Sequence, residues 1–527
     1  MNTITARRQG ALRSCACLLL FAAVHPGIAR AATFTVANTA DSGTGSLRDI
    51  IGQANNTTGA DTITFANTVT GTITLTSGSI DITEGLRVIG PGATRLTISG
   101  NNSSRIFRIH PAAASDVIAV DIAGLAFTNG SSADEGGAIF ADDSNLTITS
   151  CLFSNNTAQR GGGLYAFPTV STTLTLRGTR FENNTAVING GGFGAQDIDN
   201  VVVDNVVATG NSASRNGGGA YLRAVRVEIS QSEFSNNTSS TQPPNLVGIT
   251  GGGGLRIDGS KATATATVTD TRFVSNNAQQ GQGGAIWISA QPPVSQPVVA
   301  TARLDRVQLT ANTANLTGGG VSADFVNTTF KGASFANNTS QQSGGGIAYQ
   351  DAGALLLTNS TLAGNSSALA QGGGIYSAAE TGIEVSSSTI VGNSAATGGG
   401  ILRTGSGAVI RNSIVANNNA ATAPDASGSF STSYSLIKNT TGTTLGAGTG
   451  NLAPGTDPLL GTLGINGGST LSLLPSATSP ALNAGDPAGS GLAPGDQREL
   501  PRVAAGRVDL GAIERQSPED VIFRYGY

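Results

Sequence analysis

The sequence is poor in the residues that carry most protein chemistry. Its 527 residues include two histidines, three cysteines, one methionine and one tryptophan. Charged residues make up 12% of the chain, about half the roughly 25% usual for soluble domains. The formal net charge is −4, and no basic face offers itself to nucleic acid or an anionic membrane. Proline is limited to 18 residues and no G-X-Y period appears, which excludes collagen. With 39% hydrophobic residues and few charges, the chain does not have a disordered composition. What is abundant is glycine, at 73 residues.

The N-terminus reads as a targeting signal over residues 1–31. Arg7, Arg8 and Arg13 form a positive region, and Cys15 to Val24 is an apolar run too short to span a membrane. Ala29-Arg30-Ala31 supplies a small-x-small cleavage site. Cys15 and Cys17 leave with this segment, so Cys151 is the one cysteine of the mature chain and no intramolecular disulfide can form. No later stretch is long and apolar enough for a transmembrane helix. An exported protein is expected.

Glycine blocks followed by an apolar residue recur ten times. They end at Ile139, Leu164, Phe193, Ala220, Leu255, Ile286, Val321, Ile347, Ile375 and Ile401, between 25 and 35 residues apart. That period marks a solenoid. Between the blocks lies a second motif, apolar-x-apolar-x-x-small-x-apolar-x-x-Asn, as in Leu146, Ile148, Cys151, Phe153 and Asn156. Spacing of two is strand periodicity, and the two-residue skips are corners. The fold class expected is all-β: a right-handed, single-stranded parallel β-helix with an N-terminal cap and an irregular C-terminal tail domain. The anticipated divisions are cap and first coils over 32–110, repeats over 111–420, a C-terminal region over 421–515 and a tail over 516–527. Stacking would place Asn156, Asn184, Asn211, Asn237, Asn276, Asn312, Asn338, Asn365, Asn393 and Asn417 in one hydrogen-bonded ladder.

Phe153-Ser154-Asn155-Asn156, Phe181-Glu182-Asn183-Asn184, Phe234-Ser235-Asn236-Asn237, Phe273-Val274-Ser275-Asn276 and Phe335-Ala336-Asn337-Asn338, together with the glycine blocks, resemble the GGAI and FxxN repeats of chlamydial polymorphic membrane proteins. The resemblance implies a right-handed parallel β-helix on the surface or outer membrane of a Gram-negative bacterium. Phe34 to Thr39 followed by Gly43 to Arg48 resembles the cap of exported β-helix proteins with a CSLREA-type start. Asp457-Pro458-Leu459-Leu460, Asn466 to Thr470, Ser479 to Gly485, Asp496-Gln497-Arg498 and Asp509 to Glu514 occur in the order seen in the choice-of-anchor Q family. That second resemblance implies an anchoring context, with an outer-membrane partner, rather than a reaction.

Chemistry has few carriers. Cys151 stands where other copies hold Thr179, Ser232, Thr271, Ser360 or Ser388, so it reads as an inert rung. His110 is the lone histidine of the mature chain, and Asp142-Asp143 lacks the ligand pattern of a calcium loop. No metal and no cofactor are expected. By strand alternation, the residue after each inward apolar position faces outward. Those residues are Phe140, Tyr165, Gly194, Tyr221, Arg256, Trp287, Ser322, Ala348, Tyr376 and Leu402. Two further on stand Arg223, Asp258 and Asp324. Aromatic rings beside charged and amide groups suit a sugar, and the alternative, the one weighed more heavily for such a strip, is that the rings pack on one another as a surface stack. The candidate ligand residues are Tyr165, Tyr221, Trp287, Tyr376, Arg223 and Asp258. Two Pro-Pro insertions, over 240–250 and 288–299, flank this region. Asp258 and Asp324, two coils apart, together with Arg223, are the only catalytic candidates.

Three functions compete: a surface protein that adheres to or binds carbohydrate, a polysaccharide lyase or glycoside hydrolase, and a structural spacer. The first is preferred, acting as a monomer on a polysaccharide or host-surface ligand and without nucleic acid. The alternation of Val521, Phe523, Tyr525 and Tyr527 points to a sorting or docking tail.

Overall fold

The computed structural model describes residues 31–516 except 114–115, 241–249, 260–263, 291–299, 352, 379–381, 406, 490 and 504–505. Almost all of the signal segment, most of both Pro-Pro insertions and the alternating C-terminal tail therefore lie outside the described residues.

The chain winds into a parallel β-helix. Its strands fall into three parallel sheets of 26, 14 and 8 strands. Each typical coil contributes a strand after the glycine block, a second strand across a bend, and two short strands past the corners. One coil runs Leu164–Ala166, Thr173–Arg177, Arg180–Glu182 and Thr185–Asn189. The first two strands merge into one in Phe193–Asp204 and again in Ala220–Ser230, which joins both columns into the largest sheet. Pairing keeps the repeat in register, as in Leu146↔Leu174 and Phe153↔Phe181.

The interior is one continuous apolar column. Phe127, Phe153 and Phe181 stack with centroids 4.9 and 4.8 Å apart, and Phe234 stacks on Phe273 at 5.1 Å. Ala208 interrupts this column. Phe193, from the glycine-block strand, fills the gap with its ring 4.8 Å from Phe181 and 6.5 Å from Phe234.

The asparagine ladder is present. Asn156 donates both its backbone N–H and Nδ2 to Asn184 Oδ1, at 3.0 and 2.9 Å, and the same pair of bonds recurs up to Asn393. The tenth rung corrects the sequence reading: Asn393 bonds Asn418, not Asn417. Asn417 is the left-handed corner residue, with φ 57°, the position that Asn155 and Asn183 hold in earlier coils. Asn418 in turn donates to Asp425 Oδ1, which ends the ladder.

The glycine blocks are a packing requirement. Gly217 has φ +64°, and a Cβ on Gly218 would stand 2.4 Å from the carbonyl oxygen of Gly253 on the next coil. No side chain fits there.

The cap contains a helix that the sequence reading missed, Leu47–Ala54, with Ser46 as N-cap accepting from the Asp49 N–H. It buries Leu47, Ile50, Ile51 and Ala54 and packs on Thr33–Val36, Asp61–Phe65 and Ile80–Ile82, at the first coils of the stack. At the other end, coils continue past residue 420 to Thr443–Leu445. The chain then doubles back along the 14-stranded sheet. Leu460–Gly464 pairs antiparallel with Ser472–Pro475, and Ala481 and Leu510 join a second core with Ala363, Val391, Ile414 and Ala416. Polar contacts fasten this segment: Thr361 Oγ1 to Gln497 Oε1 at 2.6 Å, and Arg502 Nη2 to Asn359 Oδ1 at 2.6 Å. No described helix is long and apolar enough to cross a membrane.

Candidate functional site

The outward column forms as alternation requires. Pairing joins Tyr165↔Gly194↔Tyr221↔Arg256↔Trp287↔Ser322↔Ala348↔Tyr376. Beside it runs Gln196↔Arg223↔Asp258↔Ser289↔Asp324. Four residues of the first column are bonded diagonally to the second column on the following coil. Tyr165 donates to Gln196 Oε1 at 3.0 Å, Tyr221 bonds Asp258, Arg256 Nη2 donates to Ser289 Oγ at 2.7 Å, and Trp287 Nε1 donates to Asp324 Oδ2 at 2.6 Å.

This bonding overturns the expectation of an exposed aromatic strip. Tyr165, Tyr221 and Trp287 are only 1, 6 and 7% exposed. Tyr165 lies across Gly194, whose missing side chain leaves it room. The Arg256 guanidinium lies over the Trp287 ring, 3.2 Å from its centroid, which closes that face to a sugar.

What the columns build instead is an open groove of about 740 Å³. It brings together five of the residues singled out in the sequence: Tyr221, Arg223, Asp258, Trp287 and Asp324. Tyr165 and Tyr376 are not among its lining; Tyr376 stands three rungs beyond Trp287, past the small Ser322 and Ala348. Sequence reasoning missed Arg215, Gln282 and Asp351, which also line it, and placed Arg256 and Ser289 on the outward face without choosing them as ligand residues. Arg256 was visible as the sole cation of the first column; its importance depends on the order of rungs, which places Trp287 directly after it.

Arg256 organises the floor. Though only 4% exposed, it is ion-paired with Asp258, bonded to Ser289 and stacked on Trp287. Ser289 completes the arrangement by donating to Asp258 Oδ1 at 3.0 Å. The Nε and Nη1 of Arg256 and the Oδ1 of Asp324 are buried and have no hydrogen-bond partner among the described residues. Arg223 is more open, its side chain 44% exposed and its Nε 3.2 Å from Asp197 Oδ1.

Burial dominates the electrostatics. It pushes the Asp324 carboxyl up to about 6 against the opposing Trp287 hydrogen bond and Arg256 charge, with Asp351 adding to the rise. Burial likewise raises Asp351 and, strongly, the Tyr221 phenol. Among the described residues, no group of three His, Cys, Asp or Glu is placed to hold a metal ion.

Two protein families match parts of the chain. The right-handed β-helix region matches residues 302–449, and the Chlamydia polymorphic membrane protein repeat matches residues 150–166. The latter spans the Phe153–Asn156 motif and the Gly161–Leu164 block together. The coil is thus a right-handed parallel β-helix carrying a repeat of the polymorphic membrane protein kind. No curated protein sequence matches the chain. Among solved structures, a mannuronic acid specific polysaccharide family 6 lyase from human gut microbiota is similar at 11% identity, over 80% of this chain and 92% of that one, with a TM-score of 0.39.

Proposed function

We propose that the protein is an exported bacterial surface protein whose groove binds a saccharide chain. The polymorphic membrane protein repeat supports the surface location, as do the positive, apolar and small-x-small segments at the N-terminus. The observation that carries the ligand class is the groove itself, where Arg215, Arg223 and Arg256 face Asp258, Asp324 and Asp351. Closely set guanidinium and carboxylate groups on a rigid sheet suit a hydroxyl-rich partner, since each can bond hydroxyls that donate and accept. The rungs repeat at ~4.8 Å, so a polymer lying along the stack meets a polar or charged group on successive coils, Arg223, Asp258, Ser289 and Asp324. The C-terminal segment fits an anchoring role at the outer membrane by its motif order alone.

Glycan-array binding followed by calorimetry tests the reading. Wild-type protein should bind a polysaccharide, and Arg223→Ala should weaken binding at least tenfold with unchanged circular dichroism. A folded protein that retains no glycan from a broad array would refute it.

A further inference from the structure

We infer that the groove takes an acidic oligosaccharide in one direction only, a single carboxylate lying against Arg215 and Arg223 and uncharged sugar units running from there towards Asp351. The inference rests on the saccharide-binding reading above and names the ligand class of that site.

The charges of the groove are sorted along the stack. Arg215 and Arg223 belong to one coil, Arg215 in the corner between Ser212–Ala213 and Ala220–Ser230 and Arg223 within the second of these strands. On the next coil Arg256 and Asp258 are ion-paired and cancel. The coil after that lines the groove with the neutral Gln282, Trp287 and Ser289. Only then comes Asp324, and Asp351 follows one coil further, after the Ile347–Tyr349 strand. The groove is therefore cationic at one end, acidic at the other and balanced between. Three rungs separate Arg223 from Asp324, about 14 Å along the stack. A ligand that meets both ends is an oligomer, not a single sugar.

The cationic end is incompletely neutralised. Arg215 makes no ion pair with a described residue, and its Nε is buried with no hydrogen-bond partner among them. Arg223 has Asp197 at 3.2 Å, but these two side chains are 44 and 39% exposed. A pair that open contributes little, and a ligand carboxylate can displace it. Asn216, next to Arg215, donates Nδ2 to Asn189 Oδ1 at 3.1 Å, which fixes the amide edge beside the two cations. Guanidinium groups bind carboxylates through paired, charge-assisted hydrogen bonds, and their planar fork suits that shape better than it suits a neutral hydroxyl.

The acidic end limits where the ligand's charge can be. A polymer with an acid on every unit would bring carboxylates against Asp351, which is exposed and has no ion pair with a described residue. Asp324 adds its charge from beneath the same end. Hydroxyl groups meet no such conflict, because a carboxylate accepts from them. One end of the groove thus attracts an acid while the other repels it, and discrimination comes from both.

The test presents the full chain to an array of neutral, singly uronate-bearing, sulfated and polyuronate oligosaccharides and follows the retained ones by calorimetry. Glycans with one uronate at an end should dominate. Reducing that carboxyl to the alcohol should weaken binding by at least about tenfold. Arg215→Gln should remove most of the difference between the acid and its reduced form, whereas a merely structural role would lower both alike. Asp351→Asn should raise polyuronate affinity roughly tenfold. Equal binding of acid and reduced forms, or retention of neutral or sulfated glycans alone, overturns the inference and leaves the binding reading intact. Tighter binding of polyuronates than of singly acidic glycans also overturns it, and each of these results is read on the wild type. Retention of no glycan refutes the binding reading and the inference with it.

Discussion

Asn184 directs both its backbone N–H and its side-chain Nδ2 at a single atom, Asn211 Oδ1, at 2.9 Å each. The same Nδ2 also reaches back to the Phe153 carbonyl at 3.0 Å. One amide thus ties three coils together in a position with no exposure to water.

Removing one rung should therefore cost more than a turn residue would. Asn237→Ala leaves two buried donors on Asn211 without an acceptor, at about 1–3 kcal/mol for each. The expected result is a clearly lowered denaturant midpoint, with exchange of the Asn211 amide proton accelerated. A midpoint shift within about 0.5 kcal/mol, the usual range for surface substitutions, would show that the ladder is only turn chemistry.

The ladder was legible because its offset from the preceding apolar residue is constant in nine copies. It failed in the tenth, where Asn417, Asn418 and Asn419 are consecutive and composition cannot choose among them; pairing of Val415 with Ile390 does. The outward column was equally legible, since alternation decides which face a residue takes. What covers that face is not a property of one strand. Trp287 looked open because the sequence does not reveal that Arg256 lies over its ring, and Tyr165 because Gly194 gives it somewhere to fold. The small-residue rung held a further surprise. Ser232, Ser360, Ser388, Ser413 and Ser435 each accept a backbone N–H from the preceding coil, forming a hydroxyl ladder parallel to the amide one.

That second ladder predicts the behaviour of Cys151. Its thiol is pushed up to about 11 by burial and stands in the hydroxyl column. Mass-spectrometric mapping of alkylation should find Cys151 unmodified in the folded protein and modified after denaturation. Cys151→Ser should leave stability unchanged or raise it, because serine supplies an acceptor that sulfur provides only weakly. A destabilised serine variant would mean that thiol packing dominates this rung.

Glycines divide into two kinds. Gly218→Ala places a Cβ 2.4 Å from the Gly253 oxygen and 2.5 Å from Thr238 backbone atoms, none of which can move without opening the stack. It should abolish soluble expression. Gly52 lies within the cap helix with nothing within 4 Å of its would-be Cβ, so Gly52→Ala should stabilise by about 0.5–1 kcal/mol. Soluble yield of Gly218→Ala and a thermal melt of Gly52→Ala check the two outcomes.

Asp324 links stability to pH. Its carboxyl titrates at about 6 in the folded protein against 3.8 for the ordinary group. Between those values the folded chain holds the proton more tightly than the unfolded one, so this group lowers stability as pH rises towards 6 and keeps it lowered above. Asp324→Asn removes that penalty while an amide oxygen can still accept from Trp287. The variant should match wild type near pH 4 and exceed it by on the order of 2–3 kcal/mol near pH 8. Equal melting differences at both pH values would show that Asp324 is not strained by burial.

The doubled-back C-terminal segment closes the 14-stranded sheet on its outer side, and Arg502 is its central fastening. Its side chain is buried, with Nη1 donating to the Gly511 carbonyl at 2.9 Å and Nη2 to Asn359 Oδ1 at 2.6 Å. Nearby, Arg498 pairs with Asp496 at 2.7 Å, and Asp496 Oδ2 accepts the Glu514 N–H. Arg502→Ala would strip Asn359 of a donor and the 511 carbonyl of its partner, both away from water. The coils, however, keep their own pairing: the apolar interior column and the second core under the segment share no member. Limited proteolysis of Arg502→Ala should therefore cut within residues 457–516 at conditions where wild type resists, leaving a stable fragment that retains the β-sheet circular dichroism. If the whole chain is digested together, the segment and the solenoid form one cooperative unit, and the segment is part of the fold rather than a strap laid over it.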